Sequence, residues 1–209
     1  AGLSAGVQVL ALLEARPQLL DLLARVLSVA PRLADALAMR PVLLDSLIEP
    51  RFGAPLRADQ PGARADELRG RLVNEPTFEA RLNAARRFQR EEAFRIDVQM
   101  LEGLANAQEA GAARSDLAAA CVAAMADAAL AEAERSLGPQ PGSFGVLALG
   151  KFGGGELAEA SDLDLMMVYE APPGAAGAGD FYARFTQRLI TALSAPTEEG
   201  ALYEVDTKL

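Results

Sequence analysis

The chain of 209 residues contains no histidine and only one cysteine. The absence of histidine excludes a Ser-His-Asp or Cys-His nucleophile, a histidine-ligated zinc site and a histidine general base. Any catalysis must therefore use carboxylates, a metal ion, lysine, arginine, tyrosine or backbone groups. The single Cys121 excludes an intrachain disulfide, and we expect it to be a buried thiol because it lies in an alanine-rich helical segment.

Long apolar runs and an excess of positive charge are also missing. The apolar runs are far shorter than the roughly 18–20 residues that cross a bilayer, and residues 2–13 lack the basic start and cleavage site of a signal peptide. The formal net charge of −9 disfavours a nucleic-acid surface, which needs a basic stripe. We therefore expect a cytoplasmic protein with no membrane or nucleic-acid partner, and a protein substrate fits the charge better than a polynucleotide.

Proline divides the first 50 residues into short segments with helical periodicity. The pattern Pro-x-Leu-x-Asp-x-Leu occurs three times, beginning at Pro17, Pro31 and Pro41. A proline is well placed in the first turn of a helix, where its missing N–H is not needed. The sequence predicts a short helix after each proline up to about residue 50. Long helices are then predicted over 63–108, with a pause at 74–76, and over 115–137.

From residue 139 the pattern changes from helical to mixed. Strands are predicted over 144–149, 163–169 and 202–207, with a helix over 180–194 between the second and third strands. The predicted fold class is α+β. It consists of an N-terminal all-helical region over 1–138, followed by a small mixed β-sheet with flanking helices over 139–209.

The long helix carries a dense run of charge over 86–95. Arg86 and Arg90 are one turn apart, so they share a face of the helix. Two interpretations stay open for this face. It is either a solvated charged surface, or a surface that faces a nucleotide or a protein substrate, and the role of Arg95 is equally open.

A glycine-rich turn lies between the first two predicted strands, where residues 150–155 are Gly-Lys-Phe-Gly-Gly-Gly. Glycine allows the backbone to turn its N–H groups toward an anion. The turn matches neither the Walker pattern nor the Gly-x-Gly-x-x-Gly of dinucleotide-binding helices. Taken alone, it is equally typical of a simple turn.

Two aspartates follow the glycine turn. Asp162 and Asp164 are two positions apart, so they lie on the same face of an extended strand. Neighbouring carboxylates repel unless a cation lies between them, and Mg²⁺ takes oxygen ligands while keeping sites for phosphates. A glycine turn followed by this pair predicts a nucleotide site, whereas an isolated pair is usually surface charge.

The last predicted strand supplies a third carboxylate, Asp206. If this strand lies next to the strand of Asp162 and Asp164, the three side chains surround the metal. One ion would hold a triphosphate and a second would lie between the attacking oxygen and the α-phosphorus. Asp206, or the ion beside it, would take the proton of the incoming hydroxyl.

These segments resemble bacterial glutamine synthetase adenylyltransferases, a family of the nucleotidyltransferase superfamily. The resemblance is carried by residues 149–157, 160–165, 184–190 and 203–209. Members of the family have two homologous halves. One half transfers AMP from ATP to a tyrosine of glutamine synthetase, and the other removes it by phosphorolysis. Residues 41–45 and 86–96 are more similar to the C-terminal, adenylylating half.

The resemblance implies specific roles for residues at matching positions. The implied catalytic and metal-binding carboxylates are Asp162, Asp164 and Asp206. The implied nucleotide-binding residues are Gly150, Lys151, Gly153, Gly154 and Ser161. The implied cofactors and partners are two Mg²⁺ ions, ATP as substrate, glutamine synthetase as protein substrate and the PII signal protein as regulator.

Three departures from the family pattern are visible. Phe152 stands where leucine is more usual, and Thr207-Lys208 stands where an apolar residue and arginine are more usual. The chain ends at Leu209, where the family continues into further helices, so the resemblance implies a nucleotidyltransferase core truncated at its C-terminal end. The implied protein is a fragment of a larger bifunctional enzyme.

Three functions therefore remain as hypotheses. The first is Mg²⁺-dependent adenylylation of glutamine synthetase, and the second is the reverse-acting half that releases ADP from adenylyl-tyrosine. The same carboxylates serve both reactions, so the residues alone do not separate them. The third is a regulatory module that binds metal or nucleotide without turnover.

Overall fold

The computed structural model describes residues 13–14, 16–56 and 62–207. Within them the chain forms eight α-helices and one sheet of three strands, which confirms the predicted α+β class. In chain order the elements are α1 (Pro17–Val29), α2 (Pro31–Met39), α3 (Leu43–Ile48), α4 (Ala63–Leu72), α5 (Phe78–Leu101), α6 (Ala107–Leu137), β1 (Ser143–Ala148), α7 (Gly150–Gly153), β2 (Leu163–Glu170), α8 (Ala178–Ser194) and β3 (Val205–Thr207).

The first three helices follow the proline pattern. α1 begins at Pro17 and α2 at Pro31, while α3 begins just after Pro41. Their buried leucines form a small apolar cluster with Phe94 and Val98 of α5. Burial of this stripe, rather than helix propensity alone, stabilises helices as short as these.

The predicted boundaries of the long helices need two corrections. The first long segment is two helices, α4 and α5, separated at the predicted pause, and α5 ends at Leu101 rather than at 108. α6 begins at Ala107 rather than at 115, because Asn106 and Glu109 form a capping box with bonds of 3.0 and 2.9 Å. Such reciprocal bonds satisfy two N–H groups at a helix start.

Ser115, the predicted start of that helix, is instead a buried residue inside α6. Its hydroxyl donates to the Gly111 carbonyl at 2.9 Å and accepts from the Leu157 N–H at 3.2 Å. The second bond ties α6 to the segment between α7 and β2. The serine therefore joins the helical part of the chain to the glycine turn.

The main apolar core is continuous from α4 to β3. The alanine-rich α6 lies at its centre and contacts α4, α5 and α8. Small side chains allow neighbouring elements to approach closely and to fill the interior at high density. Buried residues of the sheet belong to this same core, and β3 contacts α8. No helix in the described part of the chain is long and apolar enough to span a bilayer.

The sheet has the order β1-β2-β3, with β2 in the middle. β1 pairs with β2 in the antiparallel direction, and β3 pairs with β2 in the parallel direction. The parallel pair needs a crossover connection, and α8 provides it. Leu163 and Leu165 of β2 are fully buried against the core. Because side chains alternate along a strand, Asp164 lies on the opposite face.

Candidate active site

The parallel pairing of β2 and β3 brings two of the predicted carboxylates together. Asp164 and Asp206 are direct partners in the register, between the pairs Leu163–Val205 and Leu165–Thr207. Residues opposite each other on neighbouring strands point to the same face of a sheet. Asp164 and Asp206 therefore lie side by side, and we call these two residues the acidic pair.

The glycine turn lies directly against Asp164. The Leu149 N–H donates to the Asp164 carbonyl at 2.9 Å, at the end of β1. Gly150 has a φ of +53°, and a Cβ at this position would lie 3.1 Å from the Asp164 Cγ and closer than 3.0 Å to a carboxylate oxygen. Only glycine fits this left-handed conformation without displacing the carboxylate. Gly150 therefore fixes the distance between the turn and the acidic pair.

The next glycines shape the turn through their own backbone bonds. The Gly153 N–H donates to the Leu149 carbonyl at 2.8 Å, and the Gly154 N–H donates to the Gly150 carbonyl at 3.0 Å. A Cβ on Gly153 would also lie 2.9 Å from the Ala148 carbonyl carbon. These two N–H groups are used inside the turn, so Gly153 serves the close approach of backbone segments.

The remaining predicted site residues lie around this pair at different places. Asp162 is exposed and comes immediately before β2, and Lys151 is exposed on α7. Ser161 is half-buried and lines a cavity of about 300 Å³ between α5, α6 and the segment before β2. The described lining of that cavity includes neither Asp164 nor Asp206. Ser161 thus faces a space behind the acidic pair.

The chemistry of the donors fits a hard divalent cation. Asp164 and Asp206 offer carboxylate oxygens on one face, and these are the ligands that Mg²⁺ prefers. Within the described residues, no three acidic, histidine or cysteine side chains form a group that could hold a metal ion. Asp162, which comes immediately before β2, does not complete such a group in this structure. The structure brings together two of the three predicted ligands, and the third stays a prediction.

Two titratable side chains near the sheet, Cys121 and Tyr203, are unsuited to acid–base chemistry. Cys121 is fully buried, and burial raises the pKa of its thiol to about 12. Burial also raises the pKa of Tyr203 well above its ordinary value, and the neighbouring Cys121 adds to this rise. Both side chains are neutral near pH 7, so neither is a candidate proton acceptor.

In the structure the arginines on this face of α5 make contacts within the chain. Arg86 has an exposed fraction of 1%, so it lies on no solvated surface. Arg86 and Arg90 both donate to the turn between α8 and β3, over residues 195–200. Arg95 also donates to backbone carbonyls, at Ala54 in the segment before α4. These arginines stabilise the fold, and only the first two contact the segment that leads to Asp206.

The fold and the site define an α+β protein in which a glycine turn and an acidic pair, Asp164 and Asp206, lie together on a small sheet. A family model described as glutamate-ammonia ligase adenylyltransferase matches residues 20–209 of the chain. Because this match covers most of the sequence, the chain belongs to that family.

Curated relatives from several bacteria are similar over nearly the whole chain. The proteins named bifunctional glutamine synthetase adenylyltransferase/adenylyl-removing enzyme from Caulobacter vibrioides and Brucella suis are 44% and 40% identical, over 99% and 100% of the chain. The protein of the same name from Xanthobacter autotrophicus is 40% identical over 98% of the chain. The chain spans 21–22% of the length of these relatives.

Proposed function

We propose that this chain carries an Mg²⁺-dependent site that transfers AMP from ATP to a tyrosine hydroxyl of glutamine synthetase. The observation that supports the proposal most directly is the register of β3, which pairs Asp206 with Asp164, the residue whose carboxylate lies against Gly150. The names of the relatives support glutamine synthetase as the protein substrate. We propose the cytoplasm as the compartment and keep the PII signal protein as a regulator expected from the resemblance.

The proposed direction is adenylylation rather than its reversal. Its support is the similarity of residues 41–45 and 86–96 to the adenylylating half of the family. In this reaction the phenolic oxygen attacks the α-phosphorus of ATP. The new bond to phosphorus forms while the bond to the bridging oxygen breaks, and pyrophosphate leaves.

The acidic pair supplies two functions in this mechanism. Asp164 and Asp206 would hold the cation, with Asp162 as a further ligand, and bound Mg²⁺ would neutralise charge on the triphosphate. A phenol has a pKa of about 10, so the attacking hydroxyl is protonated near neutrality. Asp206, or the ion beside it, would accept that proton, and Asp206 is exposed on the face of the sheet opposite the core.

The proposal is tested by removing the charge of the acidic pair in the complete gene product that contains this chain. We expect Asp164→Asn and Asp206→Asn each to slow AMP transfer to glutamine synthetase by about 100-fold or more, as for lost transition-state charge stabilisation. The assay is incorporation of label from ATP radioactive at the α-phosphate. Glu170→Gln is the matched control, because Glu170 is exposed at the other end of β2. Normal labelling by both aspartate variants would contradict the proposal.

The direction is tested in the same variants with adenylylated glutamine synthetase and orthophosphate. If this chain carries the adenylylating half, Asp164→Asn abolishes AMP transfer and leaves ADP formation intact. Loss of ADP formation alone would assign the chain to the other half. If neither reaction changes while calorimetry still detects Mg-ATP binding to the wild-type protein, the chain is a regulatory module.

A further inference from the structure

One face of α5 contacts the segment that joins α8 to β3. Asn83, Arg86 and Arg90 lie at positions i, i+3 and i+7 of the helix, so they share this face. The Asn83 amide donates to the Glu198 carboxylate at 3.0 Å. Arg90 donates to both the carbonyl and the carboxylate of Glu199. The helix therefore contacts the connecting segment at several consecutive residues.

Arg86 is the most buried member of this face, with an exposed fraction of 1%. Its guanidinium donates to the carbonyls of Gly200 at 2.5 Å, Ala195 at 2.6 Å and Ala192 at 3.1 Å. A fourth bond of 3.0 Å goes to the Leu82 carbonyl of its own helix. In the described part of the chain, these bonds all go to backbone oxygens. The side chain thus joins α5, the end of α8 and the following turn.

Two physical features make an arginine suitable at this position. A buried cation is costly unless its donors are satisfied, and the carbonyls at the C-terminal end of α8 carry the negative end of the helix dipole. The planar guanidinium has five N–H donors in a fixed fork. A lysine ammonium has three donors on a single atom and does not span the same carbonyls. Arg86 is therefore a specific connector of three backbone segments.

The anchored segment leads directly to the acidic pair. The N–H groups of Leu202 and Tyr203 donate to the Leu193 carbonyl at 3.1 and 3.0 Å. Thr197 and Gly200 exchange backbone bonds of 3.0 and 2.9 Å. The described part of β3 begins at residue 205, directly after this anchored segment. Because β3 is joined to β2 through α8 and not through a tight turn, the segment before β3 determines where the strand enters the sheet.

We propose that Arg86 is a positioning residue that holds β3 in register with β2 and thereby holds Asp206 beside Asp164. Arg90, one helical turn further along α5, also donates to the segment between α8 and β3, at the Glu199 carbonyl. This inference rests on the proposed function, because the consequence of a correct register is a working acidic pair. The structural part of the inference is the register of β3, which can be measured without an assay of AMP transfer.

The test compares Arg86→Lys with Arg95→Lys in the complete gene product. Arg95 is a matched control because it is a buried arginine of the same helix that also donates to carbonyls, including Ala54 at 2.7 Å. Amide hydrogen exchange is followed over residues 202–207 by mass spectrometry. We expect faster exchange there in Arg86→Lys than in the wild type, and unchanged exchange there in Arg95→Lys. Thermal unfolding of both variants reports general loss of stability.

The functional arm measures AMP transfer as a function of Mg²⁺ concentration. We expect Arg86→Lys to lower the maximal rate, or to raise the half-saturating Mg²⁺ concentration, by about 10- to 100-fold, as for other residues that orient metal ligands. Arg95→Lys should leave both values unchanged. If Arg86→Lys does not fold, Arg90→Met tests the same turn at a half-buried site, with a smaller effect of the same kind.

Each outcome has a distinct meaning. Unchanged exchange over 202–207 in a folded Arg86→Lys variant overturns the positioning role, whatever its activity. Faster exchange with unchanged Mg²⁺ dependence and rate shows that Arg86 acts on the fold alone, and this also overturns the proposal. If the wild-type protein transfers no AMP, the proposed function has failed, while the exchange arm still decides whether Arg86 holds β3.

Discussion

Replacing Gly150 by alanine should damage the site far more than the fold. The residue has a φ of +53°, and the added methyl group would lie 3.1 Å from the Asp164 Cγ and closer than 3.0 Å to a carboxylate oxygen. The group that must move is the end of a side chain, which can rotate away. The expected result is a folded protein in which the Asp164 carboxylate has left its place beside Asp206.

The cost in stability follows from three contributions. An alanine in the left-handed region costs about 1–2 kcal/mol, and reduced freedom of the unfolded chain offsets about 0.4–1 kcal/mol of this. Forcing Asp164 off its preferred rotamer adds about 0.5–1.5 kcal/mol. Gly150→Ala should therefore destabilise the chain by about 1–2 kcal/mol. The rate of AMP transfer should fall by about 100-fold, because displacement of a catalytic group by about 1 Å has that effect.

Gly155→Ala is the matched control for backbone strain. Gly155 also has a positive φ, +73°, but a Cβ there would have no heavy atom within 4 Å. The Gly155→Ala variant should lose a similar amount of stability through backbone strain and keep the wild-type rate of AMP transfer. Urea unfolding measures the stability of each variant, and label incorporation into glutamine synthetase measures the rate. Equal rates for Gly150→Ala and Gly155→Ala would refute the argument that Gly150 positions Asp164.

Two further predictions concern buried or paired groups. Because Cys121 is fully buried and burial raises the pKa of its thiol to about 12, a disulfide reagent at pH 8 should label it only after urea unfolding. Rapid labelling of Cys121 in the native protein, located by mass spectrometry, would contradict this. Burial acts to raise the pKa of Glu199, but Arg90 and Arg87 outweigh it and lower the pKa. The pairing therefore stabilises the fold above the unfolded pKa of about 4.3 and is lost as the pH falls through the lower folded value. Glu199→Gln should lower the urea midpoint at pH 7, by an amount that shrinks as the pH falls below about 4.3, and a difference that stays constant with pH would contradict it.

Local chemistry made several elements predictable from the sequence. A proline early in a segment favours a helix start, and α1 and α2 begin at prolines as expected. The capping box of α6 is equally local, but the sequence prediction started this helix at Ser115 and missed it. The serine hydroxyl bonds instead to Gly111 and Leu157. That choice depends on a contact distant in the sequence.

The burial of Arg86 in the charged run of α5 could not be predicted from the sequence pattern. Arginines in a charged segment predict a solvated surface, because an isolated buried cation is costly. Here the carbonyls at the end of α8 and in the following turn satisfy Arg86. Those acceptors lie more than a hundred residues further along the chain. No periodicity in residues 78–101 identifies them.

The sequence alone shows a glycine turn followed by Asp162, Asp164 and Asp206, and it contains no histidine. These features by themselves predict carboxylate and metal chemistry. The tertiary structure decided that Asp206 lies opposite Asp164, on a neighbouring strand. Parallel strands separated by a crossover helix have no local turn to set their register. That register depends on how α8 and its following turn pack against α5, and it determines which carboxylates meet.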